Sequence, residues 1–108
     1  MMTVEQVTAL LPVEEEEVRL TDIDGLPRYA FVHPVDLFEE SQAIFRSIIE
    51  VEHHQADRLK AWYIIGYEDM QGDLLCVDLA TGQVMIVGHE TLEREEVVAP
   101  SLPLFFHG

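Results

Sequence analysis

The sequence predicts an α+β fold, with a central, mainly antiparallel sheet that meanders through the C-terminal half and helices packed against it. Three observations carry this. The stretches 61–66, 73–79 and 84–88 are apolar, β-rich runs separated by short turn-like segments. The stretch from 37 to 49 repeats apolar residues at helical spacing. With 108 residues, 48% hydrophobic and 25% charged, the chain lies in the globular range and is expected to form one domain over 1–108.

Taken in order, Thr3 followed by Gln6 is a capping-box pattern, and Val4, Val7, Leu10 and Leu11 then recur at helical spacing until Pro12. A run of four acids, Glu14, Glu15, Glu16 and Glu17, leads into Val18-Arg19-Leu20, which reads as an edge strand, and Asp24-Gly25 marks a turn before Pro27. From Arg28 to His33 the pattern alternates, with Tyr29, Phe31 and His33 on one side and Ala30 and Val32 on the other, until Pro34 stops it.

The longest helix is expected next. Asp36 with Glu39 resembles a cap, and Leu37, Phe38, Ile44, Phe45, Ile48 and Ile49 form its apolar stripe. Glu39, Glu40, Arg46 and Glu50 are expected to face away from the sheet that this helix covers. In the run 73–79 both alternating sets are largely apolar, so that strand is expected to be central. Thr81-Gly82 marks a hairpin, and Ser101 caps a last short helix with Pro103 in its first turn and Leu102, Phe105 and Phe106 packed inward.

Charge narrows the function. Against 21 acids stand 6 Lys and Arg, a formal net charge of −15. The cations are scattered, which argues against direct nucleic-acid binding, since phosphate backbones are held by clustered Lys and Arg. A basic protein is the partner this charge suits. The single cysteine, Cys76, precludes an intrachain disulfide and reads as a small apolar core residue of a reducing compartment. Glu5 stands where a signal peptide would carry Lys or Arg, and no apolar run approaches the ~18 residues of a membrane span, so a cytoplasmic protein with no membrane partner is expected.

Candidate chemistry is sparse. His53-His54 with Glu50, Glu52 and Asp57 has the i, i+3 and i+4 spacing that places ligands on one helix face, yet a solvated helix end gives the same pattern and no second ligand pair accompanies it. His89-Glu90 follows a strand, where neighbours point to opposite faces, so loop anchoring is favoured over acid/base work. Trp62, Tyr63 and Tyr67 are expected to be core more than pocket. No phosphate-binding glycine loop or nucleophile elbow occurs, and no cofactor or metal is expected.

One stretch is familiar: Trp62-Tyr63-Ile64-Ile65-Gly66, Gly72-Asp73 opening a strand that closes on Asp78, Thr81-Gly82, His89-Glu90, and Ala99-Pro100-Ser101 before Phe105. It resembles the SUKH superfamily of Smi/Knr-like immunity and scaffold proteins over residues 62–105. The resemblance implies structural roles for Trp62, Gly66, Gly72, Asp73, Asp78, Gly82, His89, Ser101 and Phe105. The N-terminal half departs from the family, because neither Leu11-Pro12 nor Leu26-Pro27 is followed by the expected helix and glycine loop.

The resemblance also implies a non-enzymatic binding protein, an immunity protein that neutralises a basic bacterial toxin of nuclease or deaminase type, with no catalytic residues to carry over. Glu14, Glu15, Glu16 and Glu17 are the candidate partner-binding residues. A scaffold or oligomerisation module without a toxin, and a small metal-dependent hydrolase built around His53, are the alternatives.

Overall fold

A computed structural model of the chain describes residues 2–52 and 57–107, with side chains over 2–47 and 59–107. Six strands make one sheet in chain order: β1 (Glu16–Ile23), β2 (Leu26–Val32), β3 (Trp62–Glu68), β4 (Leu74–Asp78), β5 (Val84–Val87) and β6 (Arg94–Ala99). Each pairs antiparallel with the next. Three helices pack on this sheet: α1 (Val4–Leu10), α2 (Phe38–Glu52) and α3 (Leu102–His107). The α+β class expected from periodicity is the one observed.

Period-2 alternation sorts the central strands between two cores. Leu75, Val77, Val84 and Ile86 turn to one face, where Val7 of α1 and Leu102 and Phe105 of α3 cover them. Cys76, Met85 and Val87 turn to the other, against Phe45 of α2, Leu59, Trp62 and Leu92. A strand apolar on both sides is what a sheet covered on both faces requires.

The sheet curls, so that its two edge strands face one another across a cavity of about 320 Å3 lined by Val18 to Thr21, Val98 to Pro100, and Leu104 and Phe105. Arg28 of β2 reaches across this curl. Its guanidinium lies 2.8 Å from the Glu96 carboxylate of β6 and 3.8 Å from that of Glu68, and its Nε–H donates to the Thr21 carbonyl. Arg28 and Glu68 are both buried, so these partners stand in for water at the end of the first core.

Strand β2 pairs with β3 only at Ala30, Phe31 and Val32, which leaves the first half of β3 without a strand on that side. α2 occupies the place. Gln42, buried, accepts from the Ile64 N–H at 3.0 Å and donates to its carbonyl at 2.6 Å, completing the ladder as a neighbouring strand would. Arg46 donates to the carbonyls of Leu59 and Trp62 and lies over the Tyr63 ring, 4.7 Å from its centroid.

Three sequence expectations change here. Because α2 lies along a strand edge instead of flat on the sheet, its buried side runs through Phe38, Gln42 and Phe45, and Leu37 and Ile44 are exposed. Arg46, expected to face solvent, is bound to backbone for the same reason. A short 3-10 turn, Val35–Leu37, precedes α2, so Asp36 lies inside that turn and not at the residue before the helix. Ile48, Ile49 and Glu50 lie outside the described side chains. β6 is an addition: the acid-rich Arg94-Glu95-Glu96 hid a strand that has an edge position and needs only one apolar side.

Candidate functional site

The face of the sheet beside α2 is only partly covered. Beyond the reach of the helix, Tyr29 and Phe31 of β2 and His33, just past its end, stand beside Tyr67 of β3. Phe31 and Tyr67 stack with centroids 5.3 Å apart, and His33 tilts against Tyr67 at 5.8 Å. Arg19 lies over the Tyr29 ring at 5.5 Å and is paired with Asp22 at 2.8 Å. Tyr67, expected as core, is 37% exposed. It pairs with Phe31 where no helix covers it, so the aromatics form a surface strip.

The strip continues into a cavity of about 290 Å3 beneath α2. Phe45, Ile64, Leu74 and Leu92 give it apolar walls, and Ile44, 58% exposed, stands at its rim. His33, Ser41 and His89 supply the polar groups. His33 belongs to both strip and cavity, which makes them one continuous surface. Leu92 is held with φ 54, a left-handed conformation uncommon for such a side chain, and is nevertheless fully packed.

The two histidines sit in opposite environments. Burial pushes His33 down, against a smaller upward pull from Glu15, and its Nδ1 is 3.3 Å from the Ser41 hydroxyl. His89 is pushed up by its hydrogen bond with Asp73, Nδ1 to Oδ1 at 2.6 Å. Burial alone would raise Asp73, but the His89 side chain and backbone N–H, both on Oδ1, outweigh it and hold the carboxyl below its ordinary range. Glu95 is raised by desolvation and by the neighbouring charge of Asp73. His89 therefore anchors the β5–β6 turn to the start of β4. It lies in that turn and not on a strand, which lets its Nε2 also approach the Glu90 carboxylate, at 3.8 Å.

The remaining motif residues are distributed through the C-terminal half. Trp62 is buried in the second core, and Phe105 packs in the first. Gly66 abuts β2 so closely that a Cβ there would lie 2.0 Å from the Phe31 carbonyl oxygen. Gly72 and Gly82 hold positive φ, at 73 and 81. Asp78 accepts the Ala80 N–H on its side chain and the Gly82 N–H on its carbonyl, closing the hairpin. Ser101 accepts the Leu104 N–H at the start of α3. Cys76 is fully buried, and burial pushes its thiol up, away from the thiolate.

Glu14, Glu15, Glu16 and Glu17 are all exposed, at the entry to and start of β1. Glu17 is paired with Phe31 and Glu16 with Val32, so these two point to the strip side and the opposite side, and Glu14 and Glu15 precede the strand. The His53 and His54 set lies outside the described residues. Among the described residues no group of three or more His, Cys, Asp or Glu is placed to hold a metal ion, and no helix is long and apolar enough to cross a membrane. Sequence reasoning missed the cavity, whose walls come from positions 33 to 92 and share no spacing; the exposed Ile44 beside a buried Gln42 is the nearest local signal.

No protein-family model, no curated protein and no solved structure matches the chain.

Proposed function

We propose that this chain is a non-enzymatic protein-binding domain that engages a basic protein, acting in the cytoplasm as an immunity protein against a toxin. The observation that carries the reading is the row of four exposed glutamates running onto the outermost strand of a chain with net charge −15. Such a row attracts a cationic surface over several ångströms, speeds encounter and disfavours acidic partners. The SUKH resemblance over 62–105 supports the immunity role.

Co-expression with the product of the adjacent gene tests this. Relief of growth inhibition, together with a complex whose affinity falls steeply between low and physiological salt, supports the proposal. A neighbour without toxicity, or a complex indifferent to salt, removes it. Replacing Glu14 to Glu17 by Lys should weaken the complex at least about tenfold and flatten its salt dependence.

A further inference from the structure

We infer that the partner docks on the aromatic strip and the adjoining cavity, laying an extended basic segment across Tyr29, Phe31 and Tyr67 and inserting one apolar side chain between Ile44 and Leu92. This rests on the basic-partner reading above and supplies the face that the reading lacks.

The surface has the anatomy of a binding hot spot, with half-buried Tyr29 and Phe31 and exposed Tyr67 beside an apolar pocket inside a charged rim. The cavity, at about 290 Å3, is large enough for one aliphatic or aromatic side chain. Its rim is rich in carboxylates. Glu15 lies close enough to act on His33, and Glu17 stands beside Phe31. Asp69 accepts the Tyr29 N–H at 3.0 Å, and Glu90 is 3.8 Å from His89. Arg19, which lies over Tyr29, is paired with Asp22. Charge complementarity therefore selects the occupant: a segment with Lys or Arg on both sides of a Leu, Met or Phe. A second copy of this chain would bring another −15 against the same carboxylates.

Alternation along β1 sharpens the assignment. Glu17, paired with Phe31, stands on the strip side and Glu16, paired with Val32, on the other, while Glu15, just before the strand, acts on His33. Two double reversals, Glu15→Lys with Glu17→Lys and Glu14→Lys with Glu16→Lys, change the net charge equally and differ only in position.

The probes are two synthetic peptides, Lys-Arg-Lys-Leu-Lys-Arg-Lys and the same peptide with Ser at its centre, titrated into the isotopically labelled chain at low salt. The expected result is that the Leu peptide shifts the amides of Phe31, His33, Ile44, Tyr67 and Leu92 and binds at least about fivefold tighter than the Ser peptide. Ile44→Gln, an exposed position, should remove that preference. The Glu15/Glu17 reversal should weaken binding several-fold more than the Glu14/Glu16 reversal. Equal binding of both peptides, or equal loss from both reversals, would overturn the docking face and leave the basic-partner reading standing. Binding of neither peptide would overturn both. Shifts confined to the cavity on adding indole, with none from the peptides, would assign it to a small molecule and overturn the inference.

Discussion

Gln42 and Gly66 act through single atoms, and their substitution separates two kinds of destabilisation. Gln42→Leu keeps the volume in the core and removes both bonds to Ile64, leaving its N–H and carbonyl unsatisfied beside α2. We expect a loss of about 1–3 kcal/mol in urea unfolding, with the midpoint falling and the slope unchanged. Gly66→Ala places a carbon 2.0 Å from a backbone oxygen, so β2 and β3 must part, and a loss of about 3 kcal/mol is expected. The histidines give a pH test. His89 is raised and His33 lowered, so in an NMR titration His89 takes up its proton at the higher pH. The stability that His89 contributes is full below its unfolded value of about 6.5 and is lost as pH rises through its folded one. That of Asp73, which is lowered, is full above about 3.9 and is lost as pH falls through its folded one. Asp73→Asn should therefore destabilise most between about pH 4 and 6.5 and less at pH 8.5. An equal effect at pH 5.5 and 8.5 would show that the ion pair contributes nothing beyond a neutral hydrogen bond.

Elements differ in how openly the sequence declares them, and the reason is what each packs against. The capping box of α1 and the hairpin at Thr81-Gly82 are local chemistry, readable from neighbouring residues. The opposed sets in β4 were legible because both faces are covered, which leaves apolar residues from Leu74 to Val77. α2 was misread by rotation, since a helix against a strand edge must supply an amide where one against a sheet face supplies a leucine. β6 went unseen because its charges do structural work at long range: Glu96 pairs with Arg28, 68 residues earlier. The site was legible only in its Glu run and its alternating aromatics, as the cavity beside them is walled by residues of α2, β3 and β4 and of the loops at His33 and at His89 to Leu92. The Arg28 cluster makes the long-range dependence measurable. Arg28→Met should cost about 3–5 kcal/mol by leaving Glu68 buried without a cation. Arg28→Met with Glu68→Leu should recover much of it, because the apolar pair no longer has a charge to desolvate. A double variant as unstable as Arg28→Met alone would show that the loss comes from Glu96 or from packing.

At the scale of the whole molecule, −15 charges act on a body with a radius of gyration of 13.1 Å. Most acids are exposed, and the described ion pairs engage few of them, so repulsion among the rest opposes the compact state. Salt screens this repulsion over a Debye length of about 10 Å at 0.1 M, comparable with the molecule itself. Raising sodium chloride from about 0.01 to 0.3 M should therefore raise the melting temperature, most steeply in the low range where screening changes fastest. The same repulsion is locally concentrated at Glu14 to Glu17, four carboxylates in adjacent positions. Replacing them by Gln should raise the melting temperature at low salt and reduce the salt response. Both effects come from folding alone, whereas the loss of partner affinity on reversing the same residues comes from binding. A variant more stable yet weaker in binding is the signature of an acidic run kept for recognition. Unchanged or lower stability in the Gln variant at low salt would mean that the four glutamates are locally compensated and supply little field to a partner.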